Sequence, residues 1–211
     1  MSSVAADLGT AAHSVLESCL LSIYDFGIPL RAEDYVGREI EVTDGPHAPL
    51  SPSGAKRWMT CPAAPGMEEQ FPEAQEGPRV HVFDEDYANA VQVCLDYVAQ
   101  RCREIAREHG PVKVYAERRV SPQRYLDTDE CDGTSDVTLV TDRFIEHIDF
   151  KAGSGVPVSA DDPQNRLYLL GTLAALEGQA QPMPQQAKLT IVQPRCSKVE
   201  PRIRSIDLDD G

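Results

Sequence analysis

The stretch FIEHIDFKAGSG, residues 144–155, places Asp149 and Lys151 two apart in a run that is otherwise largely apolar and then breaks at glycines. Residues two apart in a strand point to the same face, so a carboxylate and an ammonium stand side by side. Two chemistries fit that pair: a structural ion pair at a strand end, or half of a metal-dependent active site. D-x-K alone favours the ion pair, because such tripeptides are common. Asp136, in GTSD, sits early in the preceding alternating stretch, SDVTLVT. Antiparallel pairing of the two stretches brings Asp136 to the same end of the sheet as Asp149 and Lys151. Two converging carboxylates repel unless a cation neutralises them or one is protonated. Hard oxygen ligands without cysteine suit magnesium or manganese. A lysine beside them is able to position a water and stabilise charge developing on a phosphate.

The elements that must position these residues are legible as a change of period. GTAAHSVLESCLLSIY predicts a helix opened by Gly9-Thr10, with Ala12, Val15, Leu16, Cys19 and Leu20 on its apolar face. His13 and Glu17, four apart, share one face of it. Residues 41–80, rich in Pro, Gly, Ser and acids, read mostly as irregular chain. SPSGAKRWMTCP is the exception, a short helix capped by Ser51 or Ser53 and ended by Pro62. DEDYANAVQVCLDYVAQRCREIAREHG is the clearest helix, with acids at its start, bases in its last turns and Gly110 as its stop. After Gly110 the period becomes two: VKVYAERRV, SDVTLVT and FIEHIDF read as strands, the last two joined by the turn Thr141-Asp142-Arg143. A helix with Pro163 near its start follows, then a buried strand, AKLTIVQP, and a final strand, IRSIDL. The expected fold class is α/β (α+β), a mixed sheet with helices packed against it.

Composition bounds the function. No run is long or apolar enough to span a bilayer, and the N-terminus lacks the basic and apolar regions of a secretory signal. Six scattered cysteines without a C-x-x-C pair favour reduced thiols in a cytoplasmic setting. A net charge of −14 argues against broad, nonspecific adhesion to nucleic acid. It leaves room for a nuclease, whose clustered acids are metal ligands and whose basic face is local. Arg118, Arg119 and Arg124 are candidates to line such a groove; alone, each basic cluster reads as a solvated face.

Four motifs in order resemble the PD-(D/E)XK nuclease superfamily in its RecB-like branch: Gly9-Thr10-Ala11-Ala12-His13, Gly133-Thr134-Ser135-Asp136, Asp149-Phe150-Lys151, and Gln164 with Tyr168. SPSGAKRWMTCP together with DFKAGSGVPVSADDPQNRLYLLG looks like a phage- and prophage-associated group of unknown function. The resemblance implies a restriction-endonuclease-like sheet core flanked by helices. Residues 1–110 would form a helical and irregular region with the histidine motif, and residues 111–211 the nuclease core, together one domain. It further implies that His13, Asp136, Asp149 and the backbone carbonyl of Phe150 ligate Mg²⁺ or Mn²⁺. Lys151 would act on the attacking water. Gln164 and Tyr168 would hold substrate phosphate or the lysine, and Glu117 matches a frequent acid on the preceding strand. The implied activity is phosphodiester hydrolysis by a deoxyribonuclease, an exonuclease of phage recombination or DNA processing. Its partners would be DNA and a phage single-strand-binding or annealing protein, with no membrane. The alternative is an inactive nucleic-acid-binding or scaffold protein that keeps the nuclease fold.

Two departures stand out. In relatives the SPSGAKRWMTCP segment precedes the GTAAH helix, whereas here it follows it by about forty residues. Some relatives hold an iron–sulfur cluster with one cysteine in the CP segment and three beyond the core; Cys61 matches the first, but only Cys196 lies downstream, so no cluster is expected. Each site residue also has an ordinary structural reading. A lone His13 is commonly a satisfied surface or core histidine, Glu17 a surface acid, and Gln164 with Tyr168 a simple helix pair. Trp58 reads as a packing anchor. Gly153 and Gly155 read as a turn leaving the strand, and His147 shares the face of Asp149 and could support it.

Overall fold

The alternating stretches after Gly110 pair into one five-stranded sheet in the computed structural model, which describes residues 4–43, 50–61, 77–128 and 130–208. Its strands are β3 (Lys113–Val120), β4 (Gly133–Val140), β5 (Phe144–Phe150), β6 (Gln186–Val192) and β7 (Ile203–Leu208), in that spatial order. All neighbours are antiparallel except β5 and β6. The β4–β5 hairpin turns on Thr141, whose Oγ1 accepts from the N–H groups of Arg143 at 3.2 Å and Phe144 at 2.9 Å. The parallel β5–β6 step needs a crossover, supplied by a helix spanning Pro163–Gly178, labelled α4 below. Every residue of β5 is buried, as expected of a strand covered on both faces.

Alternation along the strands shows which helices cover which face. Val137, Leu139, Ile148 and Phe150 join one apolar cluster with α1 (Val4–Tyr24) and α3 (Glu85–His109). Val140 and Ile145, of opposite phase, join Leu169 and Leu176 of α4. The result is three layers, with α1 and α3 on one side of the sheet and α4 on the other. The first cluster mixes residues from both halves of the chain, from Ala11 to Val192.

Helix α3 has the expected ends: Asp84 Oδ1 accepts from Tyr87 N–H at 2.9 Å, and Gly110 takes φ +90° beyond the last turn. Helix α1 begins at Val4, more than a turn before the expected start at Gly9-Thr10. Asp7 explains the extension. It lies in the first turn, is buried, and accepts from Arg79 Nη2 and His81 Nε2 at 2.9 Å each. An acid there complements the helix dipole and ties α1 to β2 (Arg79–Val82), so Gly9 is carried as an interior residue. Strand β2 pairs with β1 (Glu39–Val42), a two-stranded sheet that straddles the two ends of the region 41–80 expected to be irregular; four-residue strands are too short for period two to show.

Residues 50–61 form a 3₁₀ turn, Pro52–Gly54, and then α2, Ala55–Thr60. Neither Ser51 nor Ser53 caps α2 with its side chain. The intervening turn satisfies Gly54 N–H through the Ser51 carbonyl at 3.0 Å, and the two serine hydroxyls bond each other at 3.2 Å. Pro62, the expected stop, lies outside the described residues. Trp58 packs with Ala55, Cys131 and Leu167 while its Nε1 donates to Ser51 O at 2.9 Å, so it acts as the anchor the sequence suggested. Among the described residues no helix is long and apolar enough to cross a membrane.

Candidate metal centre at the strand ends

The β4–β5 ladder pairs Val140 with Ile145 through Val137 with Ile148, so Asp136 and Asp149 are the residues that follow at its end. On the other side β3 pairs Ala116 with Val137 and Arg118 with Ser135, which leaves Glu117 beside Asp136. Three carboxylates thus form a row across three adjacent strands.

Two of the three reach the α1 face because the strands change phase there. In β3, Val114 and Ala116 pack toward α1 and α3, and Tyr115 toward α4. Glu117 breaks the alternation with φ +42°, left-handed backbone that costs a non-glycine residue about 1–3 kcal/mol. Its carboxylate meets His13 of α1, Oε1 to Nδ1 at 3.2 Å, and the Arg118 guanidinium falls over the Tyr115 ring at 4.5 Å. In β4, Ser135 has the phase of Val137 yet meets His147 Nδ1 on the α4 side at 3.1 Å. Asp136, with the phase of Val140, meets His13 Nδ1 through Oδ1 at 3.5 Å. Its Oδ2 accepts from Phe150 N–H at 2.7 Å. His13, Glu117 and Asp136 each bring one ligand atom to within 4.8 Å of the others.

Asp149 keeps the α4 side. Its Oδ1 accepts from Lys151 Nζ at 2.9 Å and from Gln164 Nε2 at 3.4 Å. Lys151 Nζ also donates to Gln164 Oε1 at 3.4 Å, and Asp162 caps the helix that carries Gln164, accepting from its N–H at 3.0 Å. Asp149 is 1 % exposed, and its Oδ2 is buried without a hydrogen-bond partner. An unsatisfied buried carboxylate oxygen is costly. A hard divalent cation would satisfy it, and the oxygen-rich donor set with one imidazole suits such an ion; the residues fit Mg²⁺ or Mn²⁺.

The charges are strongly coupled. Burial disfavours the His13 imidazolium, but Asp136 and then Glu117 overcome it and raise its pKa to about 10. Burial likewise opposes ionisation of Asp136, and His13, Lys151 and the Phe150 N–H hold its carboxyl below the usual range. Asp149 is pushed up to about 7, chiefly by burial, with Lys151 pulling down and Asp136 pushing up. Glu117 is raised by burial against the pull of His13. Lys151 is raised despite burial, because Asp149 and Asp136 hold its proton.

The fold therefore brings together His13, Glu117, Asp136, Asp149, Lys151 and Gln164. Tyr168 stands one turn after Gln164, its ring 5.5 Å from that of His147. Phe150 is buried with its ring 5.3 Å from His13. Gly133 is required by contact: a Cβ there would stand 3.0 Å from Pro52 Cδ and 3.1 Å from Tyr168 Cε1. Sequence reasoning gave no role to Ser135, which fixes His147; its position one residue before Asp136 was the only signal. His147 is buried, its Nε2 has no partner, and burial lowers its pKa to about 4. The groove arginines are differently disposed: Arg119 pairs with Asp132, Arg124 with Glu177 at 2.6 Å, and Arg118 stacks on Tyr115. A cleft of about 460 Å³ lined by Arg101, Phe144, Lys188 and Asp207 lies at the opposite end of β5.

Fold and site together define a three-layer α/β protein with a carboxylate-rich centre at its strand ends. The chain belongs to the family described as Protein of unknown function (DUF2800), which matches over residues 47–81 and 74–208. Glu117, Asp136, Asp149, Lys151, Gln164 and Tyr168 fall within the matched stretches, and His13 precedes them. No solved structure matches the chain.

Proposed function

We infer that the protein is a metal-dependent deoxyribonuclease that hydrolyses phosphodiester bonds, an exonuclease of phage recombination or DNA processing. The observation that carries this reading is the group His13, Glu117 and Asp136, with ligand atoms within 4.8 Å of one another, next to the Asp149–Lys151 pair whose buried Asp149 Oδ2 has no partner among the described residues. His13, Glu117, Asp136 and Asp149, with the Phe150 carbonyl, would hold one or two Mg²⁺ or Mn²⁺ ions. Such an ion supplies Lewis acidity toward a phosphate oxygen and makes water a better nucleophile at neutral pH. Lys151, fixed by Asp149 and Gln164, orients the attacking water and offsets negative charge growing on the phosphate. Gln164 and Tyr168 keep the lysine in place and offer polar groups to a phosphate. The partners are DNA and a phage single-strand-binding or annealing protein. A cytoplasmic setting accords with six free thiols.

A second reading is an inactive nucleic-acid-binding or scaffold protein that keeps the fold; Arg119 and Arg124, held by acids of the chain itself, count against a basic groove on either reading. Mn²⁺ calorimetry beside cleavage of linear and circular DNA separates the two. Asp149→Ala should weaken Mn²⁺ binding about tenfold or more and abolish cleavage. Lys151→Ala should keep the ion and lose about a hundredfold or more in rate. Wild-type protein that binds DNA but cuts neither form would establish the scaffold reading instead.

A further inference from the structure

The chain leaves β5 at Lys151 and reaches α4 through residues 152–162. Gly153 through Pro157 are exposed, and Val156 is 77 % exposed, the highest value among the large apolar residues described. A connection of this kind needs no support, yet this one is braced from behind by four side chains. Gln193, 2 % exposed, spends both ends of its amide on it: Nε2 donates to Val156 O at 2.8 Å, and Oε1 accepts from Val158 N–H at 3.3 Å. Arg204 Nη2 donates to Val158 O at 2.8 Å and to Gln193 Oε1 at 2.9 Å. Arg195 Nη1 donates to Ala152 O at 3.2 Å while its guanidinium lies 3.8 Å over the Tyr87 ring. Cys196 Sγ donates to Gly155 O at 3.7 Å.

Burying an amide and immobilising two arginines is costly unless the geometry they fix has a use. What they fix is an apolar tip, Val156-Pro157, held out in solvent a few residues from Lys151. The charge pattern agrees. In a chain of net charge −14, residues 152–160 contain no acid, and Lys151, Arg195 and Arg204 surround their base. Asp161 and Asp162 follow directly, Asp161 paired with Arg166, so the tip itself is the acid-free part, and it offers contact to a base rather than to a phosphate.

We propose that the loop 152–158 is a rigid base-contacting wedge, Val156 its tip, which holds an unstacked nucleotide of the DNA strand beside the phosphate at Lys151. The assignment rests on the deoxyribonuclease reading for its substrate and deepens it, since it makes strand engagement depend on a base as well as a phosphate. Gln193 is the positioning residue that keeps the tip extended.

The test is fluorescence anisotropy with a phosphorothioate oligonucleotide, single-stranded or duplex with a frayed end, on wild type, Val156→Asp, Val156→Ser and Gln193→Leu. Mn²⁺ calorimetry and thermal unfolding are run on each protein, and DNA cleavage on the wild type. Val156→Asp, a substitution at an exposed tip, should weaken DNA binding about tenfold, and Val156→Ser, which removes the apolar contact and adds no charge, should weaken it in the same direction, with Mn²⁺ affinity and unfolding unchanged. Gln193→Leu should lower DNA affinity in the same direction with Mn²⁺ affinity retained. Equal DNA affinity in wild type and Val156→Asp overturns the wedge, and wild-type cleavage in that case leaves the nuclease reading standing. Weaker DNA binding by Val156→Asp in a protein that cuts nothing sustains the wedge and removes the nuclease reading. Wild type without DNA affinity overturns both.

Discussion

Asp136 serves three neighbours at once: His13 on α1, the Phe150 N–H on the adjacent strand, and the charge of Lys151 beyond it. Without a metal ion, the His13 imidazolium and the Lys151 ammonium are the cations that hold the acid row together. A divalent ion must displace protons from this arrangement, because ligation needs neutral imidazole and ionised carboxylate. With His13 raised to about 10 and Asp149 to about 7, His13 carries its proton throughout the neutral range and Asp149 over its lower part. Mn²⁺ affinity should therefore rise with pH, by up to about tenfold per unit for each proton released. It should fall as pH drops below 7, where Asp149 is protonated. Calorimetry in buffers of different ionisation enthalpy reads the released protons directly; an affinity flat from about pH 6 to 8 would remove Asp149 and His13 as ligands.

At the scale of elements, the strands place the site and two local devices finish it. One is the phase change at Glu117 and Asp136, and the other is the contact of Pro52 and Tyr168 over Gly133. Gly133→Ala should destabilise the fold by about 1–3 kcal/mol in urea unfolding, since both neighbours are ring atoms with little room to move. On the nuclease reading proposed above, it should also lower DNA cleavage by shifting Tyr168. The hairpin was legible in the sequence because period two and a three-residue turn fix its register, and that register brings Asp136 and Asp149 to the same end of the sheet. The helix α3 was legible from the acids at its start, the bases in its last turns and Gly110, and α4 from Pro163 near its start, while the caps Asp84 and Asp162 appear only in the structure. The phase change was not, because no residue type announces a left-handed glutamate in a strand. Glu117, whose role the resemblance left open, turns out to stand in the tightest group of ligand atoms, whereas Asp149 stands in the lysine's ion pair. The start of α1 and the β1–β2 pair were hidden for another reason: they depend on Asp7 meeting Arg79 and His81, seventy residues away in the chain.

At the scale of the whole molecule, the acid row is a feature that a bound cation would relieve. At about one hundred times its dissociation constant, Mn²⁺ should add about 2.7 kcal/mol to stability. Asp136→Asn should lose that increment, and thermal unfolding with and without the ion measures both. A further consequence follows from where the parts of the centre come from. His13 lies in the first helix and Tyr168 in the last, with both layers and the sheet between them. During synthesis the set is incomplete until α4 has emerged from the ribosome, and any fault in packing either layer dismantles it. A half-made or misfolded copy therefore carries only part of the centre.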